Sequence, residues 1–292
     1  MRVTQGMIFD SANQSVATTL SALQKATEKV SSQKRLNRPS DDPADVRSSI
    51  QMHDTLSELN QFLRNIDVAT SKVDAQDTAL GSAGELLQRA NELAIEGANG
   101  AMDGSDRSAI AQEVSQLIES LAQSAGAKVN DEYIFSGFRV DRPPYTVTGP
   151  GTASAYQGDH GVTLARVGPA STIQISVSGD AIFQPALNAL AQLKTDLESG
   201  SPVQGSTITM IQGALDTMLG ARAQIGARAN RLEQAKTSQA ALVTSGQALL
   251  SQLEDVDMPA AITEMTKRQT TYQATLAVTA KVMQTSLIDY LR

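Results

Sequence analysis

The sequence predicts a mainly α-helical protein with a β insert: an elongated antiparallel helical bundle or coiled coil, with both termini at one end and a small β domain at the other. Three observations carry this expectation. Apolar residues recur at alternating spacings of three and four through long stretches near both ends, the period that keeps one stripe of a helix facing a partner. Short breaks fall near residues 38–43 and 254–259, at matching distances from the two ends. Between them, over 133–183, Gly, Pro and aromatic residues replace the Ala- and Leu-rich pattern, which then returns.

The first helix pattern starts near residue 10, with Val16, Leu20, Leu23, Thr27 and Val30 on its seam. It pauses at Arg38-Pro39-Ser40-Asp41-Asp42-Pro43-Ala44, because two prolines so close cannot sit inside one regular helix. The same segment restarts a helix: Asp42 is an N-cap, Pro43 suits the first helical position, and Asp45 favours the positive helix end. Met52, Leu56, Leu59, Leu63, Ile66, Val73 and Leu80 continue the seam, and the polar Thr70 and Asp77 are expected to weaken its packing. Gly97, Gly100 and Gly104 mark a break, after which Ile110, Val114, Leu117 and Leu121 restart a helix reaching about Lys128.

From Tyr133 to Phe183, Gly and Pro punctuate short alternating stretches such as Tyr145-Thr146-Val147 and Thr172–Val177, which read as strands. Six of the ten aromatic residues lie there, as a small β domain in need of bulky core residues would require. Helix is expected to return at Pro185, with Leu187, Leu190, Leu193 and Leu197 on one face. The longest seam runs from Ile208 to Leu253, a helix on the order of 70 Å long. Arg222, Lys236 and Gln239 stand on that seam where Leu or Ile would give the most stable coiled coil. Partial exposure and register control against further subunits both fit them.

After Pro259 a terminal helix carries Ile262, Met265, Gln269, Tyr272, Leu276, Thr279, Met283, Ser286 and Tyr290 on its seam, with Leu287 beside them. The domain division read from these breaks is 1–42 with 258–292 as a terminal coiled coil, 43–132 with 185–257 as a helical rod, and 133–184 as a small β domain.

Composition removes several function classes. A net charge of −7 argues against a general nucleic-acid binder, which needs clustered Lys and Arg. The absence of cysteine removes disulfides, thiolate metal sites and Cys nucleophiles. No stretch approaches the roughly 18 apolar residues of a membrane span, and residues 2–10 lack the apolar run of a cleaved secretory signal. Capping after a proline break explains Asp41, Asp42 and Asp45 better than cation binding. His53 reads as a bundle-surface residue and His160 as part of a Gly-flanked turn, so no positioned base for a hydrolytic triad is evident. The expectation is a chain without enzyme activity, cofactor or metal.

Three segments resemble a known family. Arg38–Ala44 after an amphipathic helix, Tyr133-Ile134-Phe135-Ser136-Gly137 followed by Asp141-Arg142-Pro143-Pro144-Tyr145, and the ending Ala261–Met265, Tyr272–Leu276 and Ser286–Leu291 are similar to the flagellar hook-associated protein 3 family within the flagellin superfamily. The resemblance covers roughly 1–145 and 185–292; residues 146–184 match nothing diagnostic. It implies a structural adaptor joining the bacterial flagellar hook, through the first hook-associated protein, to the flagellin filament. It further implies export through the flagellar type III system, a chaperone holding the C-terminal region, a flagellar and secreted location, and self-association in a ring-like layer. Flagellin itself and a secretion-associated helical adaptor are the alternatives.

The assembly interface is then expected on the terminal helices, at Val16, Leu20, Leu23, Val30, Ile262, Met265, Tyr272, Leu276, Met283, Leu287 and Tyr290, with Pro39, Asp42, Pro43 and Pro259 setting the breaks and caps. The first 20 residues carry only Arg2 and Asp10 as charges, the depletion an interface core prefers. Lone helices of this Ala/Ser/Thr/Gln-rich kind are marginal in water, so segments 1–40 and 258–292 are expected to order on assembly.

Overall fold

The computed structural model describes residues 5–290, with side chains described at 7 and 9–281. The chain forms two compact units, one of residues 1–58 with 242–292 and one of residues 59–241. The mainly helical class with a small β region is what the structure shows. Helices α1 (Gln5–Ser32) and α6 (Met258–Tyr290) pack along each other in the first unit, joined there by the start of α2 (Pro43–Gly97) and the end of α5 (Gly205–Glu254). The unit boundaries fall inside α2 and α5 and away from the proline breaks.

Local chemistry sets these helix ends. Gln33 leaves α1 with φ +58°, and an isolated bridge pairs Lys34 with Asp255. Asp42 Oδ1 accepts from the N–H groups of Ala44 at 3.1 Å and Asp45 at 3.2 Å, and α2 begins at Pro43. The neighbouring Asp41 turns back to accept from the N–H of Arg38 at 2.9 Å. Asp257 caps α6: its Oδ1 accepts from the N–H of Ala260 at 3.3 Å, and Pro259 is the second helical residue.

The second unit holds one contiguous core. Two rows of α2, Ile66-Val73-Leu80-Leu87-Ala94 and Phe62-Ala69-Gln76-Ala83-Ala90, are buried at strict seven-residue spacing. Packing therefore does not weaken at Thr70 and Asp77, which flank these rows. Ile211, Met218, Ile225 and Leu232 form the matching buried row of α5. Helix α3 (Gly104–Ala125) packs on α4 (Gly179–Glu198). Helix α4 starts six residues before Pro185, the expected start. A proline in a helix interior costs about 3 kcal/mol, but Ile182 and Phe183 are buried on the added turns and contribute about 1.5–3 kcal/mol each.

The β region is thinner than expected. It consists of three antiparallel hairpins of two or three residues per strand: β1 (Lys128–Val129) with β2 (Glu132–Tyr133), β3 (Val147–Gly149) with β4 (Thr152–Ala153), and β5 (Leu164–Arg166) with β6 (Thr172–Gln174). Such ladders cannot hold a core of their own. The bulky residues pack instead into the helical core, where Phe135 meets the edge of Phe183 at 5.0 Å. Side chains of α2 and α5 hold the third hairpin by its carbonyls: Asn65 donates to Arg166 O, Gln239 to Val167 O, Gln76 to Ile175 O and Arg228 to Ser176 O, at 3.0–3.1 Å.

Candidate assembly interface

Along α1 the shielded side chains include Ala12, Val16, Thr19, Leu23, Ala26 and Val30, again at alternating four and three. On α6 they include Ala261, Met265, Tyr272, Thr275 and Thr279. The row closing the α1–α6 pair is therefore built in large part from Ala and Thr. Among the described residues, Ala26 is the one buried side chain of α1, and α6 has none. So little internal burial leaves the pair weakly held, because helix stability in proteins comes chiefly from packing.

Further apolar side chains flank this row in solvent. Leu20 is 37% exposed, Leu276 41%, Ile262 46% and Val278 62%, with Met7 and Phe9 also exposed at the start of α1. Of the residues expected at an interface, Val16, Leu23, Val30, Met265 and Tyr272 thus turn inward and Leu20, Ile262 and Leu276 outward. Met283, Leu287 and Tyr290 lie outside the described side chains.

At the base of this pair sits a polar cluster that periodicity does not reveal. Glu254, the last residue of α5, is 7% exposed. Its Oε2 accepts from Lys34 Nζ at 2.6 Å, and its Oε1 accepts from Ser49 Oγ and stands 2.7 Å from His53 Nε2. Burial pushes the Glu254 carboxyl up, but the hydrogen bonds from Lys34, Ser49 and His53 outweigh it and hold the group at about 2. Beside it, Arg35 donates to Leu253 O at 2.8 Å and to the Asp45 carboxylate, while the Arg35 N–H donates to Glu254 O. One signal was available: Lys34-Arg35 and Glu254-Asp255 stand at the two breaks, opposite in charge. His53 is a surface residue as expected, and it is also bonded to this carboxylate.

Around His160 the described residues do not assemble a catalytic triad. His160 Nδ1 lies 3.3 Å from Ser178 Oγ, and its Nε2 lies 3.9 Å from Asp180 Oδ2. The ring is 73% exposed and stacks on Tyr156, and the carboxylate is beyond hydrogen-bond reach, so no carboxylate orients it as a base. Among the described residues no cluster of three or more His, Asp or Glu side chains could hold a metal, and no helix is long and apolar enough to cross a membrane.

Comparison with known proteins places this architecture. Residues 4–139 match the bacterial flagellin N-terminal helical region, and residues 208–291 match the bacterial flagellin C-terminal helical region. The chain is 25% identical to flagellar hook-associated protein 3 of Escherichia coli, over 94% of each chain. It is 29% identical to the flagellar filament 33 kDa core protein of Treponema phagedenis, over 96% of each. Its fold is that of flagellar hook-associated protein 3 from Legionella pneumophila, with a TM-score of 0.62 at 16% identity, covering 70% of this chain and 98% of that one. Matched at both helical ends by models of one family and along nearly its whole length by flagellar proteins, the chain belongs to the flagellin superfamily.

Proposed function

We propose that this chain is a non-enzymatic structural adaptor of the bacterial flagellum, joining the hook to the flagellin filament at their junction. The observation that carries the reading is the α1–α6 pair: it half-shields one row, in which Ala and Thr alternate with larger residues, buries only Ala26 among the described side chains, and leaves Leu20, Ile262, Leu276 and Val278 in solvent. A pair closed so lightly suits helices that order against neighbouring copies, and apolar surface of this kind marks an interaction site. Neighbours in a ring-like layer cover these side chains, with the first hook-associated protein on one side of the layer and flagellin on the other. The chain reaches this place through the flagellar type III export channel, with a chaperone on its C-terminal region. The terminal pair, the helical rod and the 133–184 segment then act as assembly, spacer and surface modules.

The similarity to a filament core protein favours flagellin as the second reading. Copy number separates the two: quantitative mass spectrometry of sheared, purified flagella should find a trace amount, constant per filament at any length. An amount growing with filament length makes the chain a flagellin, and absence from flagella removes both readings. Replacing Ile262 and Leu276 by Asp should keep the monomer folded and abolish incorporation.

A further inference from the structure

The turn between α2 and α3 carries the chain's one Asn-Gly step, Asn99-Gly100. Both residues are exposed and outside any helix. Asn99 Oδ1 accepts from the Ala101 N–H at 3.1 Å, which holds the side-chain amide against the backbone that follows and draws electron density from Cγ. Among the described residues, no group accepts the Gly100 N–H, and a Cβ built on Gly100 would meet nothing within 4 Å. A nucleophilic amide nitrogen without a side chain thus adjoins a polarised carboxamide.

Beneath the turn lies an unusual cation. Arg107 is 3% exposed, and no carboxylate pairs with it among the described residues. Its Nη1 donates to Gly97 O at 3.2 Å, and its Nη2 donates to Asn99 O at 3.1 Å and Met102 O at 3.5 Å. Three carbonyls are thus the whole counterweight of a buried guanidinium, and one belongs to Asn99.

We propose that Asn99 is a site of spontaneous succinimide formation, and that Arg107 directs the product to isoaspartate. The Gly100 nitrogen attacks Asn99 Cγ and forms a C–N bond. The Cγ–Nδ2 bond breaks, and the Gly100 proton leaves with the departing ammonia. Water, the only co-reactant, then adds to one of the two ring carbonyls. Addition at the former main-chain carbonyl is favoured because Arg107 already polarises that oxygen and stabilises charge developing on it. Opening there routes the chain through the old side chain and frees the old main-chain carbonyl carbon as a carboxylate. The buried guanidinium gains the anionic partner it lacks.

The test is to age the full-length folded protein at mildly alkaline pH and, in parallel, the same protein in denaturant. Peptide mass spectrometry then reads ammonia loss followed by water gain at every asparagine, and resolves isoaspartate from aspartate. The expected result is conversion of Asn99 ahead of the eight other asparagines, with a higher isoaspartate share in the folded protein than in denaturant. Isomerisation at the nearby Asp103-Gly104 changes no mass and cannot be mistaken for it. Gly100→Ala, for which the space is open, should keep the fold and lose the modified peptide. An Asn99 that stays intact in the folded chain while converting in denaturant overturns the site. Equal isoaspartate shares in the two conditions overturn the role of Arg107.

Discussion

Arg222 grips Asp77 across the α2–α5 contact, with Nε donating to Oδ1 at 2.8 Å and Nη2 to Oδ2 at 3.2 Å. Lys236 repeats the arrangement with Asp67, at 2.9 Å. The three polar residues on the α5 seam therefore find partners within the chain, Arg222 and Lys236 in α2 carboxylates and Gln239 in Val167 O, so register against other copies is not needed to explain them.

Both partners are largely in solvent, at 49% and 42% exposure, so the pair is screened and contributes little at working salt. Asp77→Ala is expected to lower the melting temperature slightly in low salt and not at all in high salt. Melts of the variant and the parent at the two ionic strengths check this. A loss that persists in high salt would mean that Asp77 holds the helices by more than charge.

Glu254 has the opposite character, being buried among three donors. Glu254→Gln removes a carboxylate that takes charge-assisted hydrogen bonds, and is expected to cost about 1.5–3 kcal/mol in chemical denaturation near neutral pH. The pH sign follows from the shift. The folded carboxyl is held at about 2, below its ordinary 4.5, so its stabilisation is fully present above 4.5 and is lost as pH falls toward 2. The gap between parent and variant should therefore close over that window. A constant gap would show that the charge of Glu254 is not what stabilises the junction.

Gly137, the last residue of Tyr133-Ile134-Phe135-Ser136-Gly137, has φ +68°, and a Cβ there would come within 2.3 Å of the Asp159 carbonyl oxygen. The approach is close because Asp159 Oδ1 accepts from the N–H groups of Phe138 at 2.7 Å and Gly161 at 2.8 Å. These same bonds hold the Asp159 carboxyl below the usual range. Gly137→Ala combines left-handed backbone strain with overpacking against main chain, so a loss of about 2–4 kcal/mol is expected. Denaturant midpoints measure it. A near-neutral variant would mean that the two loops separate easily.

What could be read in the sequence depended on range. The breaks at Pro39–Pro43 and Pro259 and the cap at Asp42 follow from local backbone chemistry and lie where the sequence puts them. The faces of α1 and α6 were only half legible. Two adjacent rows satisfy the three–four spacing, one through Leu20 and Thr27 and one through Thr19 and Ala26. Hydropathy follows the bulkier row, whereas the chain closes on the smaller. Periodicity does not reveal the Glu254 cluster, because Lys34 and Glu254 are 220 residues apart and periodicity carries no pairing information; only the opposite charges at the two breaks point to it. Strands were overread because alternation at Thr172–Val177 continues past the ladder, which ends at Gln174, where Gln76 takes the next carbonyl.

Arg107 gives the sharpest test of how the α2–α3 turn is held. Its planar fork reaches the carbonyls of Gly97, Asn99 and Met102, which belong to the end of α2 and the turn after it. Lysine keeps the charge and much of the length, but its single ammonium cannot bridge the same three acceptors, and it is more strongly hydrated. In Arg107→Lys at least one buried carbonyl loses its donor, at about 1–3 kcal/mol, and the ammonium also pays desolvation. A stability loss of at least that size is expected in denaturant melts, with faster amide exchange at 97–103 than elsewhere in the unit. If Arg107→Lys retained parental stability, the charge alone would be holding the turn through the negative ends of the α2 carbonyls, and the fork geometry would be incidental.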